Sequence, residues 1–324
     1  MKPPPFGYHA PRTLDEALDV LAAAPSGKVL AGGQSLIPLL NMRLAAPPAL
    51  VDINRVAELD TVHAGDGGVR VGALARHARV ERSAEAAAIQ PLLRRALRHV
   101  AHPVIRNRGT VVGSLVHADP AGEMPAVLAV LGGTVEAASA RGRRTIPADA
   151  FFLGPLESAL EPGELAVSAF FPAAPPRTGT AFAETARRHG DYALAGVAAV
   201  VTLDEDLRVS SARAGYLGVG GTPLVLDLTG AAGPAGDWAA AAEHARERVD
   251  PEADIHASAG YRRHLAGVLT ERVLSVAAAE ALRGTFHPCN VMDYAATEQA
   301  IADALGALGG SVHFVCNTAG GGIA

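Results

Sequence analysis

The residues best suited to chemistry lie in two glycine-bearing stretches, KVLAGGQSLIPLLNMRL (28–44) and IRNRGTVVGSLVHADPAGEMP (105–125). In the first, a short apolar run meets Ala31, Gly32 and Gly33, then Gln34, Ser35 and an amphipathic segment. Glycines at a strand-to-helix turn let successive backbone N–H groups converge on one concavity without Cβ clashes, and such a nest suits a phosphate. The helix start behind it would add a positive dipole. Gln34 and Ser35 offer side-chain hydrogen bonds, and Ser35 could also cap the helix. A glycine turn needed only for packing is the open alternative. The stretch lacks the GxGxxG pattern, and no P-loop lysine with Ser or Thr follows, so neither a Rossmann fold nor an NTPase is supported.

The second stretch presents Gly109, Thr110, Val111, Val112, Gly113 and Ser114 ahead of a helix, and two such loops could grip a pyrophosphate from both sides. Glu123 stands where a ribose diol could be met, although its spacing alone reads as a solvated charge at a helix start beside Pro125. His99, His102 and His117 lack metal-ligand spacing and read as surface or capping residues. Arg94, Arg95 and Arg98 read as the solvated face of a helix, with a partner interface as the alternative. Asp119–Pro120 reads as a turn cap. No nucleophile or acid–base pair is singled out as catalytic, and no metal site is expected.

The chain has 324 residues, enough for two domains with real cores. With 49% hydrophobic and 19% charged residues it reads as a folded protein. A net charge of −5 without a dense basic run, and aromatic content of only 4%, argue against a nucleic-acid partner. The longest uncharged apolar stretch, Tyr192 to Leu203, is well short of the roughly 20 residues a membrane span needs. The N-terminus carries no apolar signal-peptide core. Two cysteines, Cys289 and Cys316, can build neither a disulfide framework nor an iron–sulfur cluster. A cytoplasmic protein without a membrane span is expected.

The elements that must position these loops follow from the pattern. Residues 13–24 predict a helix with Thr13 as N-cap and Glu16 at capping-box spacing. Strand VLAGG, a helix or turn LIPLLNMRL and strand ALVDINRV come next. Residues 69–74 predict a strand, the run to Ala87 a helix, and PLLRRALRHVAH a helix. IRNRGTVVGSL is expected as a loop, and MPAVLAVLGGTVEAAS as helix, glycine turn and strand. PAAPPRTG (172–179) is the expected linker. Beyond it come a strand, a helix turn, two strands joined at DEDL, and helices over 236–249 and 253–283, the last with a glycine stop at Gly284. The class is mixed α+β.

Taken together the motifs resemble a known family. AGGQSLIPLLNMRL resembles the AGGHSLLP-type loop of FAD-binding medium subunits in the carbon monoxide dehydrogenase and xanthine dehydrogenase family of molybdenum hydroxylases. IRNRGTVVGSLVHADPAGEMPAVLAVLG looks like that family's IRNxGTIGGNLAHADPAADLP segment. RRHGDYALAGVAAVV resembles its RxGDYALVGVA segment, and DIHASAGYRRHLAGVLTERVL its C-terminal helix. The match is collinear from Phe6 to about Leu282.

The resemblance implies a vanillyl-alcohol-oxidase-type (PCMH) FAD domain over 1–175, built of two α+β subdomains, and a small α+β C-terminal flavoprotein domain over 178–283. It implies that Ala31, Gly32, Gly33, Gln34 and Ser35 form the first FAD loop and Thr110, Val111, Val112, Gly113 and Ser114 the second. Glu123 would meet the FAD ribose, and Tyr192 would lie near the flavin ring. It further implies a partner large subunit holding the molybdenum cofactor and a partner small subunit holding two [2Fe–2S] clusters, arranged as a dimer of heterotrimers. This chain would carry electrons from the clusters through FAD to an external acceptor. Gln34 stands for a common His, Ser114 for Asn and Glu123 for Asp. Val112 stands for a glycine, where a β-branched residue would resist positive φ, so Val112→Gly is expected to raise FAD affinity.

Residues 284–324 do not fit this scheme. CNVMDYAATEQAIADALGALGGSVHFVCNTAGGGIA resembles an internal βαβ piece of a short-chain dehydrogenase, yet the glycine-rich NAD loop and the Tyr-x-x-x-Lys pair are missing, so no dehydrogenase activity is expected of it. It reads as a fusion or gene-assembly scar. Three rival readings remain for the whole chain: a free-standing flavoprotein oxidase, a structural subunit that has lost FAD, and a nicotinamide dehydrogenase. The missing motifs reject the last.

Overall fold

The structure is a computed structural model that describes residues 2–65 and 67–283. The residue 284–324 tail, with both cysteines and the glycine stop, lies outside them. No helix among the described residues is long and apolar enough to cross a membrane.

The chain opens with strand β1 (Gly7–His9), helix α1 (Leu14–Ala23), strand β2 (Lys28–Leu30), helix α2 (Leu36–Asn41) and strand β3 (Ala49–Asp52). The three strands pair in parallel in the order β1–β3–β2. Parallel neighbours need crossovers, and α1 and α2 supply them. Helix α1 forms because Leu14, Ala17, Leu18 and Leu21 share one buried face. Thr13 Oγ1 accepts from the Glu16 amide at 3.2 Å as expected, while Glu16 returns to the Arg12 amide, 2.8 Å away, one residue before the cap.

The second subdomain is an antiparallel sheet with helices inserted into it. Strands β4 (Val62–Gly65) and β5 (Gly68–Gly72) precede six helices: α3 (His77–Arg82), α4 (Ala84–Ile89), α5 (Pro91–Leu97), α6 (Pro103–Arg106), α7 (Val111–His117) and α8 (Glu123–Leu131). Then come β6 (Thr134–Ser139), β7 (Gly142–Pro147), α9 (Ala148–Phe151), the hairpin β8 (Phe152–Gly154) and β9 (Glu157–Ser158), and β10 (Leu165–Pro172). The sheet order is β4–β5–β10–β6–β7. Residues 105–115 are therefore not the expected loop. The Thr110 hydroxyl caps α7 through the Gly113 amide at 3.1 Å, and Val111, Val112 and Leu115 bury one side of that helix in the core.

The C-terminal unit is a four-stranded antiparallel meander, β11 (Thr178–Ala186), β12 (Ala193–Leu203), β13 (Val209–Leu217) and β14 (Leu224–Asp227). Helices α10 (Thr229–Ala232), α11 (Trp238–Arg248) and α12 (Ala259–Arg283) follow, and α12 begins six residues later than the pattern predicted. The helix turn expected between the first two strands is instead an irregular loop with Gly190 at φ +83°.

Charge and close packing join the two units. The Arg95 guanidinium on α5 grips both carboxylate oxygens of Glu280 on α12, and Glu280 also accepts the Thr180 amide at 2.8 Å. Arg94 donates to the Glu81 and Ser83 carbonyls, each at 2.9 Å. These arginines are thus committed rather than solvated; of the three, only Arg98 is exposed. Arg95→Leu leaves a half-buried carboxylate without its cation and is expected to cost about 2 kcal/mol. Arg98→Leu is expected to stay within about 0.5 kcal/mol. Thermal melts of the two variants check this, and equal shifts would contradict the clamp.

Candidate cofactor site

The two glycine loops touch. A Cβ built on Gly32 would stand 2.5 Å from the Arg108 carbonyl oxygen and 2.7 Å from Gly109 Cα, so no side chain fits where the first loop crosses the second. Gly33 adopts φ +72°, a conformation that bends the chain away from β2 and toward α2. Gly109 is needed for a similar reason, because its Cβ would lie 2.8 Å from His77 Nδ1.

Polar side chains hold this crossing. Asn54 Nδ2 donates to the Ala31 carbonyl at 2.8 Å, and its Oδ1 accepts from Arg76 Nη2 at 2.6 Å. Arg76 Nη1 donates to the Arg108 carbonyl, 2.8 Å away, which closes a latch from the first loop to the second. Asp52 orients Asn54 through Oδ1, and its Oδ2 accepts from the Tyr8 hydroxyl at 2.6 Å. His77 anchors the far side: its amide donates to the Gly109 carbonyl at 2.9 Å, and its Nε2 lies 2.9 Å from Ser114 Oγ. Burial pushes the His77 pKa down to about 4, the Thr110 backbone opposing this and the Arg106 charge adding to it, so the ring is neutral at pH 7.

Against the first loop opens a cleft of about 380 Å³, lined by Ala31, Gly32, Gly33, Gln34, Asp52, Asn54 and Arg108 among others; none of Thr110–Ser114, Glu123 or Tyr192 lines it. Among the described residues, no backbone acceptor takes the amides of Gly33, Gln34 or Ser35, nor that of Val112. This open donor set, with the Arg108 cation beside it, suits an anion that a diphosphate would supply. Helices α2 and α7 run only six and seven residues, so amides and cation outweigh any helix dipole here. Ser35 makes no side-chain cap, contrary to expectation, and Gln34 Nε2 donates to the Gly32 carbonyl at 3.2 Å.

Val112 needs no positive φ. It sits in the first turn of α7 and is 2% exposed in the core, so the steric objection to it disappears. The expected gain from Val112→Gly is withdrawn with it, since glycine there would open a cavity and loosen a helix.

Glu123 begins α8 and is not the solvated charge its spacing suggested. Burial, then the nearby Glu184 charge, push its pKa up to about 8, with Asp119 adding to the rise. Glu184 on β11 pairs with His99 Nδ1 at 3.5 Å. His102 packs against Gly190 and the His189 ring, and the Asp119 carboxylate caps a turn through the Ala121 amide at 2.9 Å, as expected. Tyr192 is 71% exposed; partial burial of its hydroxyl, then the Asp119 and Glu123 carboxylates, raise its pKa. Arg262 of α12 fixes the start of β12 just behind it through the Leu194 and Gly218 carbonyls. No cluster that could hold a metal ion occurs among the described residues.

Asn54, Arg76, His77, Arg108 and Arg262 were not singled out from the sequence. Asn54 lay in the quoted VDINRV and Arg108 in IRNRGT, where polar residues directly flanking a strand end or a glycine were the available signal. Arg76 and His77 carried no local pattern.

Gly32→Ala must push the loops apart and is expected to weaken FAD binding at least about tenfold. Val112→Gly is expected to lower stability by about 2 kcal/mol without tightening it. Fluorescence titration and denaturant melts measure both, and tighter binding by Val112→Gly would contradict the helical placement. Glu123 holds its proton in the folded state up to about pH 8 but releases it near 4.5 when unfolded. The folded state therefore binds more protons between those values, and its stability falls as pH rises through that window. Glu123→Gln is expected to flatten the decline between pH 6.5 and 8; parallel curves would contradict a protonated Glu123.

Comparison with known proteins bears on the fold and the family. Residues 4–174 match the family described as FAD binding domain in molybdopterin dehydrogenase, and residues 180–277 the CO dehydrogenase flavoprotein C-terminal domain. The chain is 43% identical to the 6-hydroxypseudooxynicotine dehydrogenase complex subunit alpha of Paenarthrobacter nicotinovorans, over 86% of this chain and 96% of that protein. It is 36% identical to the carbon monoxide dehydrogenase medium chain of Hydrogenophaga pseudoflava, over 86% and 98%. Among solved structures, quinoline 2-oxidoreductase from Pseudomonas putida 86 superposes with a TM-score of 0.80 at 39% identity, covering 87% of this chain and 100% of that one. With both domains matched in order and such identity over most of its length, the chain belongs to the FAD-binding medium subunits of the molybdenum hydroxylase family.

Proposed function

We propose that this chain holds FAD with its diphosphate between Ala31–Ser35 and Thr110–Ser114, and passes electrons from a [2Fe–2S] partner subunit to an external acceptor. The observation that supports it is the contact of Gly32 with Arg108 and Gly109, which brings the open amides of Gly33–Ser35 and the Arg108 cation to the segment that holds the open Val112 amide. Bound FAD would supply the redox chemistry, accepting electrons and handing them on. The chain's own residues orient it. Asn54 and Arg76 fix the spacing of the two loops, and His77 fixes Ser114. Protonated Glu123 would donate to a ribose hydroxyl, and exposed Tyr192 would cover the flavin ring.

Substrate is oxidised, in this reading, on a molybdenum-cofactor subunit, and the complex is a cytoplasmic dimer of heterotrimers. Relatives at 39–43% identity bear names with nicotine, caffeine and 6-hydroxypseudooxynicotine, which supports a nitrogen heterocycle as the complex's substrate. Domain limits near 175 and 178, and a separate tail from 284, belong to the same reading. The reading of a structural subunit without flavin loses its main support, because Val112 does not obstruct the loop.

The test is a visible spectrum of the purified protein. Flavin bands are expected, and they should bleach when molybdenum and iron–sulfur subunits are added with substrate. A colourless protein that does not take up added FAD would overturn the reading.

A further inference from the structure

Among its described lining residues, the cleft at the first glycine loop is short of negative charge and has one uncommitted cation. Asp52, its one lining carboxylate, already accepts from Tyr8 through one oxygen and from Asn54 through the other. Arg76 is occupied by Asn54 and the Arg108 carbonyl. Arg108 differs. Its side chain is exposed and lines the cleft beside Ala31–Gln34, and among the described residues no carboxylate pairs with it. Its main chain is fixed at both ends: the amide donates to the Ile105 carbonyl at 3.0 Å, and the carbonyl is held by Arg76 against Gly32. A guanidinium on so rigid a root, close to a second guanidinium of like charge, is set to receive an anion.

We propose that Arg108 is the cationic anchor of this cleft for a nucleotide diphosphate, an assignment that rests on the flavin reading above. Its planar fork takes one phosphate by two charge-assisted hydrogen bonds, while the amides of Gly33, Gln34 and Ser35 take the other. The division explains why the loops work without a P-loop lysine: the countercharge enters from the residue before Gly109. Lysine would keep the charge and lose the fork.

Full-length protein and its Arg108→Gln and Arg108→Lys variants test this with FAD, ADP and riboflavin as probes. Flavin fluorescence gives the two flavin affinities, and competition gives that of ADP. Arg108→Gln is expected to raise the Kd for FAD and ADP about tenfold, with riboflavin, which has no phosphate, changing less than about twofold. Arg108→Lys should fall between Arg108→Gln and the parent, and the parent's FAD affinity should drop with added salt. An Arg108→Gln Kd for FAD within about twofold of the parent overturns the assignment of Arg108 and leaves the flavin reading standing. An equal loss for riboflavin overturns it as well, because the effect would not then lie at the phosphates. Parent protein that binds neither FAD nor ADP overturns both.

Discussion

One steric constraint organises the N-terminal domain: the backbone at Gly32 lies so close to Arg108 and Gly109 that no Cβ can stand between them. The segments come from different subdomains, one leaving a parallel sheet and the other inserted between strands of an antiparallel one. Their contact joins one short run of open amides, Gly33–Ser35, to a second short run in which, among the described residues, only the Val112 amide is open. Neither run alone offers much, since each precedes a helix of only six or seven residues. The Asn54–Arg76 latch maintains the crossing by tying a carbonyl of each segment to one side-chain pair. His77 is the counterpart on the inner side, neutral because it is buried, and it couples the Gly109 carbonyl to Ser114.

The distribution of polar groups accounts for what the chain does and does not do. Of its titratable residues with displaced pKa values, His77 serves as an anchor of the crossing and Glu123 sits at the domain seam. Glu123 and Glu184 meet across that seam, where one proton on Glu123 relieves the repulsion between them. A protein that holds a cofactor rigidly and leaves substrate chemistry to a partner subunit needs cradle, countercharge and rigid roots, and these are what the residues provide.

Much of this was legible in the sequence because it is local. The helix of residues 14–23, the strands entering and leaving the glycine turns, and the meander joined at DEDL all follow from periodicity and turn residues. Helix α7 is hidden in the sequence because its signals, a threonine cap and three buried apolar residues, are interrupted by Gly113. Glycine there is a local break in the pattern, yet the Thr110 hydroxyl occupies the space a Cβ would need. Arg95 looked solvated since nothing nearby in sequence opposes it, and its partner Glu280 is 185 residues away. The latch was illegible for the same reason: Asn54, Arg76 and Arg108 meet only after two subdomains have packed.

The most direct measurement is a crystal structure of the FAD-loaded protein, in which the position of the diphosphate decides the matter. The account predicts both phosphates in the cleft, within hydrogen-bonding reach of amides from residues 32–35 and from 110–114 at once. A diphosphate bound to one segment only, or lying outside the crossing of Gly32 and Gly109, would contradict it.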